Sequence, residues 1–374
     1  MDRNNQLLNL NTAPAPAASS LPASAPQGGR LLKVTTSLVP WAIIGGLLWA
    51  GLFIKPAAVG STVQPPVLEH RDHYYGAALP GDGRVWFAGS NGKIVSMATD
   101  GSLSLLASGT ERTLQDIAAW DGQRGIAVGN DGDIITPADG GKTWQQAREV
   151  PRSAVANKLT RVRVAEGGRA VVVGEMGALL ASDDFGQTWR RLRDEEDVAW
   201  NDAALVGKDE IRVVGEFGRV LLSRDRGATW QEREAPVPTS LMSVAFRDAR
   251  NGVAVGLDGV VLVSQDGGEN WRQAETGIHD HLLDIAWDEA GQRWLGAGVL
   301  GRWVSAPADA AKWSVGRVDE RDLSWHTRVL PAGGQDGSPA PASAAGTASA
   351  GSPWAADLRF SRLRTPYTEK RQDK

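Results

Sequence analysis

Apolar runs of three or four residues recur along most of this chain, each followed by a glycine phrase and a second apolar run. Val85–Ala88, Ile126–Val128, Val171–Val173, Arg212–Val214, Val253–Val255 and Trp294–Ala297 precede the glycines, and Lys93–Val95 to Arg302–Val304 follow them. The phrase is G-x-x-G, at Gly89/Gly92, Gly129/Gly132, Gly174/Gly177, Gly215/Gly218, Gly256/Gly259 and Gly298/Gly301, with steps of 40, 45, 41, 41 and 42 residues. Runs this short read as strands. Those joined through Asn91-Gly92, Asp131-Gly132 or Asp258-Gly259 form hairpins, because these pairs tolerate the positive φ of a tight turn. A strand-rich unit repeated about every 40 to 45 residues is one four-stranded propeller blade. In the fifth repeat the pattern predicts an inner strand Leu241–Phe246, a second Gly252–Val255, a third Val260–Val263 and an outer strand from Trp271 onward.

A second phrase keeps the same period. It reads PADGGKTW at Pro137–Trp144, SDDFGQTW at Ser182–Trp189, SRDRGATW at Ser223–Trp230 and SQDGGENW at Ser264–Trp271. The position between third and fourth strands gives it a structural role. Asp139, Asp184, Asp225 and Asp266 would accept turn amides, the glycine would take a conformation closed to other residues, and Trp144, Trp189, Trp230 and Trp271 would pack beneath. This S-x-D-x-G-x-T-W phrase is the Asp-box, or bacterial neuraminidase repeat. A sixth copy, Ser305–Trp313, has decayed except for Trp313.

Asp-box and G-x-x-G together resemble the photosystem II stability and assembly factor family of propellers, over about residues 67–331. The resemblance implies seven blades and assembly work beside membrane complexes. The expected fold is therefore an all-β, seven-bladed β-propeller with a depleted last blade, six blades being the alternative. The seventh inner strand would be Leu323–Leu330, and Val67–Arg71 would supply a closing outer strand.

The start of the chain has a different texture. Residues 1–33 are rich in Asn, Ala, Pro and Ser and are expected to be a disordered cytoplasmic N-terminus. Residues 34–54 carry no charge, long enough for a single transmembrane helix in a bacterial inner membrane. Arg30 and Lys33 before it against Lys55 after it favour a cytoplasmic N-terminus and a periplasmic propeller. Residues 55–66 read as a linker, 67–331 as the propeller, 332–353 as a low-complexity loop, and 354–374 as a basic tail or partly docked last strand.

A net charge of −4 gives no electrostatic reason for a nucleic-acid partner, and the lack of cysteine excludes thiolate chemistry. The pairs His70/His73 and His279/His281 lack a third ligand of suitable spacing, so neither metal nor cofactor is expected. Aligning the inner strands by the period superposes Gly76, Asp116, Arg161, Asp202, Ser243 and Asp284, expected at the mouth of the central channel. Asp116, Arg161, Asp202, Ser243 and Asp284 are ligand candidates there; the alternative makes Asp116, Asp202 and Asp284 the carboxylates of a glycosidase or lyase. At the hairpin tips, Met176, Phe217 and Leu300 replace polar residues and would edge a protein-docking face. Arg148, Arg152, Lys158 and Arg163, on the neighbouring connection, would add a basic surface. These features predict a non-enzymatic binding or assembly factor, its partner an integral membrane protein, an exporter or another envelope complex.

Overall fold

The structure, a computed structural model, describes residues 39–49, 51, 67–69, 71–137, 139–331 and the backbone of 358–360. The expected N-terminal segment 1–33, the linker 55–66 and the loop 332–353 fall outside the described residues, apart from the linker's neighbours at 67–69; so does the tail 354–374 except for that short stretch of backbone. Chain contacts separate one unit ending at Pro65 from a second beginning at Pro66.

The second unit contains six antiparallel four-stranded sheets, each built from strands consecutive in sequence. Blade 1 is β1 (Tyr74–Ala78), β2 (Val85–Gly89), β3 (Ile94–Met97) and β4 (Leu103–Leu106). Blade 2 is β5 (Leu114–Ala119) to β8 (Trp144–Gln146), and blade 3 is β9 (Leu159–Ala165) to β12 (Arg190–Arg191). Blade 4 runs from β13 (Trp200–Val206) to β16 (Gln231–Glu234), and blade 5 from β17 (Leu241–Phe246) to β20 (Arg272–Gln273). Blade 6 runs from β21 (Leu282–Asp288) to β24 (Ser314–Arg317). The inner strands β1, β5, β9, β13, β17 and β21 pack side by side in that order. This is a six-bladed β-propeller.

Blades bury both faces against their neighbours, which is why their second and third strands read as unbroken apolar runs. Between blades 4 and 5, Val214, Val220 and Leu222 pack on Leu241, Val244, Ala254 and Leu262. On the opposite face of blade 5, Val253, Val255, Val261 and Val263 pack against Ile285, Trp294 and Val304.

The Asp-box turns are closed by short polar bonds. The Asp184 carboxylate accepts the Ser182 hydroxyl at 2.7 Å, the Gln187 and Thr188 amides at 3.0 Å and the Thr188 hydroxyl at 2.6 Å. Asp139 takes the Thr143 amide and hydroxyl, while the Thr229 hydroxyl and amide, with Ser223, hold the Asp225 carboxyl down at about 2. The indole of Trp144, Trp189, Trp230 or Trp271 donates to the carbonyl of Gly141, Gly186, Gly227 or Gly268 at 2.9–3.1 Å.

Both glycines of G-x-x-G are sterically required. A Cβ on Gly256 would lie 2.3 Å from the Ser240 carbonyl; one on Gly259, at φ 70°, would lie 2.2 Å from that of Ile278. The tip turn is thus pressed onto the connection that enters the next blade.

Two expectations about chain closure are corrected. Six blades are complete among the described residues. Of the expected inner strand Leu323–Leu330, only β25 (Val329–Pro331) is a strand, paired with β26 (Leu358–Phe360) in a two-stranded sheet. Residues 322–326 are instead held on the blade 6 tip, where Gly301 donates to the Ser324 carbonyl and His326 to that of Gly298, bonds that use groups a ladder would need. Val67 and Leu68 are bends packed on the blade 1 cluster and form no strand.

Within the expected span 34–54, the described residues 39–49 and 51 are helical. No helix among the described residues is long and apolar enough to cross a membrane.

Candidate functional site

Each inner strand carries a β-bulge at the same place. Pairing of inner to second strand shifts between Tyr74 and Gly76, Leu114 and Asp116, Trp200 and Asp202, Leu241 and Ser243, and Leu282 and Asp284, and likewise around Thr160 in blade 3. A bulge inserts one residue without a partner and re-aims the side chains around it. The inserted residues Tyr75, Gln115, Thr160, Asn201, Met242 and Leu283 all line one cavity of about 750 Å³ on the G-x-x-G side. The residue after each bulge is the superposed column, and there the strands meet.

That column does not form an open mouth. Asp116, Arg161, Asp202, Ser243 and Asp284 are all buried, at 0–4% exposure. In blade 1, Gly76 keeps the inner strands in contact: a Cβ there would lie 2.6 Å from the Asp116 Cα. Two further guanidiniums reach the axis. Arg163 grips Asp202 with bonds of 2.9 and 2.6 Å, and Arg328 donates to Asp116 at 2.8 Å. Arg161 donates to Asp284 at 3.1 Å and lies 3.6 Å from Asp202. Three carboxylates therefore face three guanidiniums, and the cluster is neutral.

The same carboxylates tie blade to blade. Asp116 accepts the Val162 amide at 3.0 Å, Asp202 the Val244 amide at 3.1 Å, and Asp284 the Val329 amide at 2.7 Å. Ser243 lies 2.7 Å from Asp202 and 3.0 Å from Asp284, and its oxygen accepts the Ile285 amide at 3.3 Å. Burial works to raise the Asp202 carboxyl, but Arg161 and Arg163 outweigh it and hold the group at about 2. For Arg163 burial acts downward, and the Asp202 charge prevails and raises it. Burial lowers Arg328, as does the Arg161 charge, against the pull of Asp116.

The cluster is a septum. Arg161 and Arg328 form the floor of the large cavity, whereas Asp116, Arg163 and Arg328 border a smaller one of about 220 Å³ further along the same strands. Each carboxylate of the septum has a guanidinium partner: Asp116 pairs with Arg328, Asp202 with Arg163 and Asp284 with Arg161.

The G-x-x-G tips are less uniform than their backbones. Met176, Phe217 and Leu300 share φ of 54–57° with Asn91, Asp131 and Asp258. Phe217 is 68% exposed, while Met176 and Leu300 are half-buried. On the basic connection, Arg148 and Arg152 are exposed and Lys158 lies 3.9 Å from Glu175 at the cavity wall. Arg163 leaves that surface for the axis. Leu323 and Trp325, exposed at the cavity, were not singled out by the sequence pattern. Arg328 was equally missed, although it stands 44 residues after Asp284 and continues the column.

Fold and site define an Asp-box β-propeller with a sealed axis beneath an open cavity. Residues 95–233 match the family model described as Photosynthesis system II assembly factor YCF48. Among solved structures the chain is similar to YCF48 bound to D1 peptide, with TM-score 0.57, 16% identity, and coverage of 69% of this chain and 87% of that one. YCF48 from Cyanidioschyzon merolae gives 0.53 at 13% identity, covering 67% and 86%. PorZ, a surface component of the type-IX secretion system of Porphyromonas gingivalis, gives 0.52 at 14% identity, covering 66% of this chain and 33% of that one. At these identities the structural likeness shows the fold. No curated protein matches the sequence significantly.

Proposed function

We propose that this propeller is a non-enzymatic assembly factor that binds a segment of an integral membrane protein, or of an envelope complex or exporter, through its G-x-x-G face. The observation that carries this reading is the contrast along the axis. The acid cluster there is ion-paired and neutral, while the cavity above it is rimmed by the exposed apolar side chains of Leu323 and Trp325. Similarity to YCF48, solved with a D1 peptide, supports peptide binding by this fold. The docking residues are Met176, Phe217 and Leu300, with Arg148, Arg152 and Lys158 flanking them. The glycosidase or lyase reading would need Asp116, Asp202 or Asp284 free of its guanidinium. A photocrosslinker at Phe217 should identify one membrane protein, and pull-down of that protein by the unmodified chain should be lost in a Met176/Phe217/Leu300 triple Ser variant; pull-down unaffected by the triple change would refute the face.

Two finer statements belong to this proposal. β25 is read as the remnant of a seventh blade, because it packs beside β21 and the preceding Thr327 hydroxyl donates to the Tyr75 carbonyl of β1 at 2.9 Å. Residues 34–54 are proposed to anchor the chain in the inner membrane with the propeller periplasmic, supported by their lack of charge and the flanking bias. Protease added to spheroplasts should digest the propeller; protection until lysis would reverse the topology.

A further inference from the structure

Residues 322–326 invert the usual distribution of polarity. Asp322, Ser324 and His326 are buried at 3, 7 and 4% exposure, while Leu323 and Trp325 between them are exposed at 69 and 65%. Buried and exposed residues alternate along this segment, and the exposed set is the apolar one. The polar face is bonded well enough to hold this arrangement. Asp322 accepts the Ser324 amide at 2.9 Å and contacts the His326 ring at 3.1 Å. The Ser324 carbonyl accepts Gly301 at 2.9 Å, and the His326 amide donates to Gly298 at 3.0 Å. A Cβ on Gly301 would lie 3.0 Å from the Asp322 Cβ, so the segment sits tight on the blade 6 tip.

Leu323 and Trp325 are therefore held outward at the cavity wall by bonds made beneath them. Fixing apolar groups before binding lowers the ordering cost that a partner must meet. Two apolar side chains two residues apart on the exposed side suit a partner strand, whose same-face residues also recur at every second position. The charge below is layered. Arg161 and Arg328 floor the cavity, and their carboxylate partners Asp284 and Asp116 do not line it.

We infer that Leu323 and Trp325 are the apolar anchors for an extended peptide with alternating apolar and acidic residues, its carboxylates directed to the Lys158 wall and the Arg161/Arg328 floor. This rests on the proposed docking face and specifies the peptide class it takes. The alternation matches the anchors; the acidic component matches the guanidinium side of the septum.

The probe is a fluorescein-labelled peptide of alternating Leu and Glu, with Lys-for-Glu and Ser-for-Leu versions, titrated onto the full chain by anisotropy. The Leu/Glu peptide should bind at least tenfold more tightly than either control. Leu323→Ser and Trp325→Ser should each weaken it at least fivefold, with unchanged melting temperature. Val155→Ser, at a residue 76% exposed and outside the cavity lining, should bind like the unaltered chain. Equal binding of the Lys peptide, or no effect of Trp325→Ser, overturns the inference. So does a dimer in sedimentation that Trp325→Ser dissolves, or binding to phosphatidylglycerol vesicles lost in that variant, since a second copy or a lipid surface would then be the occupant. If membrane-protein capture survives Trp325→Ser but not the triple tip variant, this inference alone falls. If it survives both, the parent reading falls.

Discussion

Phe217 occupies a backbone conformation that suits few side chains. At φ 57° its Cβ is crowded, a conformation costing about 1 kcal/mol outside Gly, Asn and Asp. Three other tips meet the same requirement with Asn91, Asp131 and Asp258. Phe217→Asn should therefore stabilise the propeller by ~0.5–1 kcal/mol in denaturant unfolding while weakening partner capture. A stability loss would instead show that the ring packs on the protein. Asp202 presents the opposite case, a residue satisfied at every oxygen. Its carboxyl lies at about 2 in the folded protein against ~3.9 unfolded, so it adds stability above pH 4 that is lost as pH falls towards 2. The contribution is on the order of 2 kcal/mol, and Asp202→Asn should flatten the acid limb of a stability–pH curve between pH 4 and 2. An unchanged limb would mean that Asp202 is not held down by Arg161 and Arg163.

At the scale of the element, the blade is a strand order plus two turn devices, and both devices are written in adjacent residues. The Asp-box bonds span at most four residues, and G-x-x-G is fixed by a turn and one close approach, so each was legible from local spacing. A departure from the motif can also be read this way. Asn270 stands where the three other boxes have Thr143, Thr188 and Thr229, and its amide group reaches Asp266 at 2.8 Å as their hydroxyls reach Asp139, Asp184 and Asp225. Asn270→Thr should change unfolding free energy by less than ~0.5 kcal/mol, whereas Asp266→Ala, which strips the turn of its acceptor, should cost about 1–2 kcal/mol. Equal costs would show that the turn is held by packing alone. The period found the column of Asp116, Arg161, Asp202, Ser243 and Asp284 but not what those residues meet. Their partners lie about 40 to more than 200 residues away, and the bulge that turns Tyr75 and its equivalents into the cavity leaves no mark in the apolar pattern. Arg163 looked like surface because its neighbours in sequence are basic; only the pleat carries it inward.

For the molecule as a whole, closure depends on a segment with little strand of its own. β25 meets β21 through the Asp284–Val329 bond, and Arg328 crosses the axis to Asp116, the farthest-separated ion pair of the septum. One strand of three residues offers few apolar contacts, so these polar ties should hold it. Arg328→Met would leave the Asp116 carboxylate buried without its counter-charge, a situation costing about 3–5 kcal/mol. Adding Asp116→Asn removes that charge and keeps an acceptor for the Val162 amide. The double variant should then recover part of the loss, and a double-mutant cycle in denaturant should give a coupling of at least ~1 kcal/mol. Additive losses would show that Arg328 acts through packing rather than charge. Because Arg328 also floors the cavity, the double variant separates closure from recognition: stability should return while affinity for the acidic peptide stays low. If affinity returns together with stability, the floor guanidinium takes no part in binding and the acidic component of the partner must be read from Lys158 alone.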